Sequence, residues 1–245
     1  MLPLAATLAL GLGQAARVEA QAAAALTQLP RFSQMKPGGA LAPWEPVTIV
    51  FGKRSTRYDL VDDHGTVVLH AIADNAASGL GHAAQFELRD APVIAWRWKI
   101  AALIAEADSY KAGREDAPAR IVLEFDGDRK KLTLLERGIY RVAEEVAGRE
   151  LPYATLMYIW SNRVPVGTLI ANPRTRRVQM IVASSGPAGV GAWQSLARDV
   201  RADFRRAFGE EPGRLLAVGV LTDTDNTDGH AEAWYGDIVF QPAPQ

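Results

Sequence analysis

The sequence contains no cysteine. This absence excludes disulfide frameworks, thiolate metal sites and thiol catalysis, and it leaves the redox compartment open. An excess of charge of one sign is also lacking, because 27 lysines and arginines stand against 28 aspartates and glutamates. Such a balance gives no indication of binding to nucleic acid. With 245 residues and 48% hydrophobic residues, the chain is long enough for one large globular domain.

Long hydrophobic segments are missing as well. Residues 2–13 form an apolar run that is too short to cross a bilayer but has the length of a signal-peptide core. Ala20 before Gln21 fits the small-residue preference at a cleavage site, although no lysine or arginine precedes the run. We predict a signal peptide over residues 1–20, no transmembrane span, and a periplasmic or secreted location. The alternative is an alanine-rich helix that stays attached.

The remainder reads as a leader and linker over residues 21–42 and a single domain over residues 43–245. Short segments rich in β-branched and apolar residues, separated by turn residues, predict a mainly β fold, an antiparallel β-sandwich or jelly roll. The predicted strands are 47–51, 58–61, 66–72, 85–88, 93–100, 120–125, 156–160, 168–171, 178–183, 215–222 and 233–240. Apolar residues at helical spacing predict one amphipathic helix over 193–208, before the last two strands, and Gly209 would end it. A weaker helical pattern covers 139–146.

Alternation along the strands assigns side chains to faces. It sets Arg97, Arg120 and Glu124 opposite the apolar residues of their strands. If these strands are neighbours, one sheet face would carry the three charged residues together with Tyr158 or Trp160. Aromatic rings beside carboxylates and guanidinium groups are typical of sugar-binding sheet faces. The alternative is a solvated face with ordinary ion pairs.

Glu124 and Asp126 also allow a catalytic hypothesis. Two positions on one strand face set their α-carbons roughly 7 Å apart. Glycosidases use carboxyl groups separated by about 5–9 Å. The pair is therefore the candidate for a glycan-active hydrolase.

The acidic loop over residues 223–229 offers hard oxygen ligands in a flexible turn. It lacks the spacing of an EF-hand, because Trp234 stands where the closing glutamate should be. Asp223 and Asp225, with Asp237, are the candidate ligands of a structural calcium ion. The alternative is that the Asp and Asn side chains bond to the backbone of the turn.

The sequence does not match the motifs of nucleotide-binding or histidine metal sites. The glycine-rich segment 186–191 has neither dinucleotide-binding nor P-loop spacing, and the four histidines lack metal-ligand spacing. No cofactor is therefore predicted beyond the calcium ion. The arginines of the predicted helix, among them Arg201 and Arg205, suggest a surface for an envelope protein partner.

Several motifs in order resemble the bacterial family catalogued as domain of unknown function 3047. They are Ala77-Ser78-Gly79-Leu80, Ala95-Trp96-Arg97-Trp98-Lys99, Ala117-Pro118-Ala119-Arg120-Ile121, Tyr158-Ile159-Trp160, Arg198-Asp199-Val200 with Asp203-Phe204, and Thr222-Asp223-Thr224-Asp225-Asn226-Thr227. The resemblance covers about residues 44–241. It implies a bacterial, often exported, single-domain protein and carries no catalytic assignment. We therefore favour a non-catalytic glycan-binding sandwich, with the hydrolase and the protein-docking domain as alternatives.

Overall fold

The computed structural model describes residues 29–49, 52–89, 91–147, 150–172 and 175–243. The predicted signal peptide, residues 1–20, lies outside the described residues, as do residues 21–28 of the predicted linker.

Thirteen strands form two sheets in the described part of the chain. They are β1 Glu45–Thr48, β2 Arg57–Asp63, β3 Thr66–Asp74, β4 Ala77–Phe86, β5 Val93–Ile100, β6 Arg120–Phe125, β7 Ala154–Ser161, β8 Leu169–Ala171, β9 Val178–Ser185, β10 Gln194–Asp199, β11 Leu215–Asp223, β12 His230–Tyr235 and β13 Val239–Gln241.

The first sheet has the order β1-β4-β11-β6-β7-β9-β8, and the second has the order β10-β5-β12-β3-β2 with β13 also paired to β5. The mainly β sandwich predicted from the sequence is confirmed. One parallel pair, β7 with β9, interrupts the otherwise antiparallel pairing of the described strands. It arises because β8 returns along the far edge of β9.

Aromatic residues of the two sheets meet in the core. Trp96 of β5 stacks on Tyr158 of β7, with ring centroids 5.2 Å apart. Trp98 lies 6.2 Å from Trp160 and donates a hydrogen bond to Ser184 of β9. All four aromatic residues are buried, and rings of this size supply much of the apolar area that stabilises a sandwich. The even-numbered residues of β5 therefore face the first sheet, and its odd-numbered residues face outward.

Two α-helices are described, α1 Leu134–Ala147 and α2 Val200–Phe208. The first confirms and extends the weaker prediction over 139–146. The prediction of a helix from residue 193 is wrong, because residues 194–199 form β10 and pair with β5. Asp199 marks the change: its carboxylate accepts the N–H of Ala202 and caps α2. Gly209, with φ +73°, ends the helix as predicted.

The segment before β1 belongs to the domain. Phe32 is fully buried and packs on Trp44, with ring centroids 4.9 Å apart. The N–H and hydroxyl groups of Ser33 donate to the carboxylate of Asp237, at 2.9 and 2.6 Å. The prediction that residues up to 42 form a linker is therefore wrong for residues 29–42.

Candidate functional site

The outward face of the second sheet carries a row of polar and aromatic side chains. Cross-strand register sets Trp234 of β12 opposite His70 of β3 on one side and Lys99 of β5 on the other. The rings of His70 and Trp234 are stacked, 4.8 Å apart. The Lys99 ammonium lies 4.6 Å from the Trp234 ring centroid and 5.2 Å from that of Trp193, just before β10. Lys99 is thus placed between two partly exposed indoles, where a cation is attracted to both rings.

The β2–β3 hairpin bends over this row. In a flat sheet β2 and β5 would lie about 14 Å apart, because β3 and β12 separate them at about 4.8 Å per strand. Yet the carboxylate of Asp63, at the end of β2, lies 3.2 Å from Lys99 and accepts the indole N–H of Trp193 at 2.6 Å. The sheet is therefore strongly curved, and the hairpin end covers part of its face.

Hydrogen bonding stabilises the charged form of Asp63. The bond from Trp193 and then the contact with Lys99 hold the pKa of Asp63 below its ordinary value, against the opposing effect of burial. At the tip of the hairpin, His64 and Gly65 both have positive φ, 54° and 85°. Positive φ at both central residues is the geometry of a two-residue hairpin turn, and this turn joins the antiparallel strands β2 and β3.

Arg97 lies next to Lys99 on the same face of β5. Its guanidinium carbon is 4.4 Å from the Trp193 ring centroid, and the guanidinium group forms no ion pair or hydrogen bond with any described residue. Gly236 makes room for it, since a Cβ there would come within 2.5 Å of the Arg97 side chain. We call the cluster of Asp63, His70, Arg97, Lys99, Trp193 and Trp234 the tryptophan face.

A cavity of about 460 Å³ opens beside Arg97. Hydroxyl groups from three parts of the chain line it together with the carboxylate of Asp237. These lining residues are Ser33, Thr66 and Ser195. The volume lies within the range of small-molecule sites, and the polar groups converge from several elements. Chemically, the cavity offers hydrogen-bond donors and acceptors, the carboxylate of Asp237, and the guanidinium of Arg97, which has no ion-pair partner among the described residues.

The ligand face predicted from the sequence does not form. Arg97 belongs to the second sheet, whereas Arg120 and Glu124 belong to β6 of the first sheet. Tyr158 pairs with Ile121 rather than Arg120, so it points with Ile121 into the core, as does Trp160. The register of β6 and β7 explains why the predicted face does not form. The two strands are neighbours, as assumed, but the charged residues of β6 point outward and the aromatic residues of β7 point into the core.

Glu124 and Asp126 lie at the end of β6. Glu124 is on the outward face of the first sheet, opposite Thr155 and Ala217. Asp126 follows the strand, accepts the N–H of Gly127, and lies 3.6 Å from Arg214. Neither residue belongs to the tryptophan face, and the hydrolase hypothesis stays a prediction.

The carboxylates that cluster at the acidic loop differ from the predicted calcium ligands. Carboxylate oxygens of Asp116, Asp223 and Asp225 lie within 4.8 Å of one another, whereas Asp237, between β12 and β13, bonds to Ser33 in the segment before β1. Asp116 accepts four hydrogen bonds from Asn226 and Thr227, which satisfy it within the loop. The inclusion of Asp237 was therefore wrong, and the calcium ion itself stays a prediction.

Asp223 forms an ion pair inside the protein. Its carboxylate forms a bidentate ion pair with the buried guanidinium of Arg120, at 2.9 Å for each contact. Burial raises the pKa of Asp223 to about 6, against the effect of Arg120. Arg120, predicted to bind a ligand, is thus enclosed by the protein, with 3% of its surface exposed.

The arginines of α2 are engaged within the chain. Arg201 and Arg205 contact Glu211, at 2.8 and 3.2 Å, and Arg206 donates to the carbonyl of Gly167. Docking of a protein partner through these residues stays a prediction.

Most residues of the tryptophan face were not predicted from the sequence. Trp193 was assigned to the helix, and Trp234 was considered only as a departure from the EF-hand pattern. Alternation could have found the second of these, because Glu232 and Trp234 alternate with buried Ala231, Ala233 and Tyr235 along β12. The bend of the hairpin that brings in Asp63 leaves no such pattern.

No helix in the described residues is long and apolar enough to span a membrane.

Comparison with known proteins identifies the family of the chain and one distantly similar solved structure. No curated protein sequence matches the chain significantly. The solved structure of endoglucanase 3 from Trichoderma harzianum, of family GH12, aligns at a TM-score of 0.38 and 8% identity. That alignment covers 84% of this chain and 100% of the other, and so distant a likeness carries no functional argument. The family of proteins of unknown function DUF3047 matches residues 42–239, and the chain belongs to this family.

Proposed function

We propose that the protein binds a glycan at the tryptophan face and in the cavity beside it. The observation that carries the proposal is Arg97, which is partly buried, lies 4.4 Å from the Trp193 ring centroid, and has no counter-ion in the described residues. Partly burying a charge without a partner costs free energy. A ligand that accepts hydrogen bonds from the guanidinium would offset this cost.

Sugars match the remaining groups of the cavity. Ser33, Thr66 and Ser195 are lining residues whose hydroxyl groups both donate and accept hydrogen bonds, as the hydroxyl groups of a pyranose do. Apolar surface accompanies these polar groups, because Leu196 and Val239 also line the cavity and the partly exposed indole of Trp193 lies 4.4 Å from Arg97. Apolar surface beside a few polar groups is the combination that sugar rings require. No described residue of the tryptophan face suggests a bond-breaking step, so the proposal is binding alone.

The test is binding of the full chain to an array of bacterial and plant glycans, followed by titration of any glycan that is retained. Arg97→Gln should weaken binding by about 10- to 100-fold, since hydrogen bonds to a charged group contribute roughly 1.5–3 kcal/mol. Trp193→Ala should weaken it as well. Arg57→Gln is the matched control, because Arg57 is an exposed arginine of the same sheet outside the cavity lining. An array on which the folded protein retains nothing, or equal affinity of Arg97→Gln and the wild type, would contradict the proposal.

A further inference from the structure

The charged groups of the tryptophan face have partners of opposite charge, except for Arg97. Lys99 contacts the carboxylate of Asp63 at 3.2 Å. His70 Nε2 lies 2.6 Å from the carboxylate of Glu232 on the adjacent strand. The guanidinium of Arg97 forms no such contact with any described residue, and Arg97 is the member of the tryptophan face that lines the cavity. The unpaired charge of this face is therefore located at the cavity.

Asp237 is a second unpaired charge at the same cavity. Its two carboxylate oxygens accept hydrogen bonds from the N–H and the hydroxyl group of Ser33. No lysine, arginine or histidine of the described chain forms an ion pair with it. An ionised carboxylate can accept about four hydrogen bonds, so acceptor positions remain for a ligand. Ser33 thus fixes the position of the carboxylate without neutralising its charge.

Arg97 and Asp237 do not pair with each other, although their backbones are close. The N–H of Gly236, the residue before Asp237, donates to the carbonyl of Arg97 at 2.9 Å. The guanidinium instead lies 4.4 Å from the ring centroid of Trp193, where cation and ring attract each other. The protein therefore presents a cation and an anion to one cavity as two separate charges.

We propose that the glycan bound in this cavity carries both a carboxylate and a free amino group. The inference rests on the proposed function and names the chemical class of its ligand. The ligand carboxylate would accept two parallel hydrogen bonds from the guanidinium of Arg97, the geometry in which arginine binds carboxylates. The ligand ammonium group would donate to the remaining acceptor positions of Asp237. Enclosing a charge without a partner costs free energy, and a ligand with only one of the two groups leaves one charge of the cavity uncompensated.

Four monosaccharides that differ only in these two groups test the inference. Muramic acid carries a carboxylate and a free amino group, N-acetylmuramic acid carries the carboxylate alone, glucosamine carries the amino group alone, and N-acetylglucosamine carries neither. At about pH 6 free amino groups and carboxylates are both charged. Titration of the full chain, followed by NMR, should show that muramic acid binds about tenfold or more tightly than each of the other three sugars, because hydrogen bonds between charged groups are stronger than neutral ones.

Substitutions assign each preference to one residue. Asp237→Asn should abolish the preference for muramic acid over N-acetylmuramic acid, and Arg97→Gln should abolish the preference for muramic acid over glucosamine. Asp59→Asn is the matched control and should keep both preferences, because Asp59 is a 51% exposed aspartate of the same sheet outside the cavity lining. Thermal unfolding shows whether each variant is folded, and the comparison of the four sugars on the wild type requires no variant.

Three results would overturn the inference, and they differ in what they imply for the proposed function. If N-acetylglucosamine or either singly charged sugar binds as tightly as muramic acid, the inference is wrong and the proposed glycan site stands. If none of the four sugars binds and the array retains glycans that lack an amino group or a carboxylate, the conclusion is the same. If the array retains nothing, the proposed function is wrong and the inference with it.

Discussion

At the scale of single residues, the most consequential contact is the ion pair between Arg120 and Asp223. Both side chains are almost fully enclosed, with 4% and 10% of their surface exposed. Removal of one partner leaves the other charge buried without compensation, which typically costs about 3–5 kcal/mol. We expect Asp223→Ala and Arg120→Ala each to lower the free energy of unfolding at pH 7 by about that amount. Urea denaturation of the two variants measures the loss.

The double variant separates pairing from packing. If the ion pair is responsible, Arg120→Ala with Asp223→Ala should cost clearly less than the sum of the two single changes. The matched control is the exposed pair of Arg57 and Asp59, where the side chains are 66% and 51% exposed and the coupling should be about 0–1 kcal/mol. Additive losses at Arg120 and Asp223 would show that the two charges are not coupled.

At the scale of elements, the first turn of α1 is held by a capping box. Thr133 Oγ1 accepts the N–H of Glu136 at 3.2 Å, and the Glu136 carboxylate accepts the N–H of Thr133 at 2.8 Å. The backbone hydrogen bond from Thr133 holds the pKa of Glu136 below its usual value. A carboxyl group whose pKa is lowered by folding stabilises the folded state above its unfolded pKa, and this contribution is lost as the pH falls.

Glu136→Gln should therefore show a cost that depends on pH. At pH 7 we expect a loss of about 1 kcal/mol in the free energy of unfolding, the usual value of a helix cap. The difference between wild type and variant should shrink as the pH falls through and below about 4.5, where the wild-type carboxyl group becomes protonated. Urea titrations at a series of pH values follow this difference. A difference that stays constant down to pH 3 would contradict the role assigned to the charge.

The local pattern of apolar residues predicted most of the strands and helices. The bounds of β5 and β6 agree with the sequence prediction, because Ile94, Trp96, Trp98 and Ile100 alternate without interruption. The pattern failed over residues 193–199, where apolar residues at helical spacing continue those of α2. Residues 194–199 form a strand because they pair with β5. Pairing between distant segments cannot be recognised from local periodicity.

At the scale of the whole molecule, the order of the strands in the second sheet brings the residues of the candidate site together. Arg97 was a predicted ligand residue and lines the candidate cavity, but the other residues of the tryptophan face come from segments far apart in the chain. Asp63, Trp193 and Trp234 meet around Lys99 only because β10, β5 and β12 are adjacent and the β2–β3 hairpin bends across them. Alternation gives the face of a side chain within its own strand. It does not give the neighbouring strand or the curvature of the sheet.

The same holds for the segment before β1, where composition suggested a linker. Phe32 is fully buried against Trp44, and the adjacent Ser33 bonds Asp237 in the break between β12 and β13. We expect Phe32→Ala to lower the free energy of unfolding by about 3–5 kcal/mol, as removal of a buried phenylalanine does. Ile49→Ala is the control, because Ile49 is 48% exposed and should cost well under 1 kcal/mol. If denaturation shows equal, small losses for both variants, residues 29–44 do not contribute to the core. A large loss for Phe32→Ala alone, in a single cooperative transition, would place this segment in the same folding unit as the two sheets, since local unfolding of a separate segment would leave that transition unchanged.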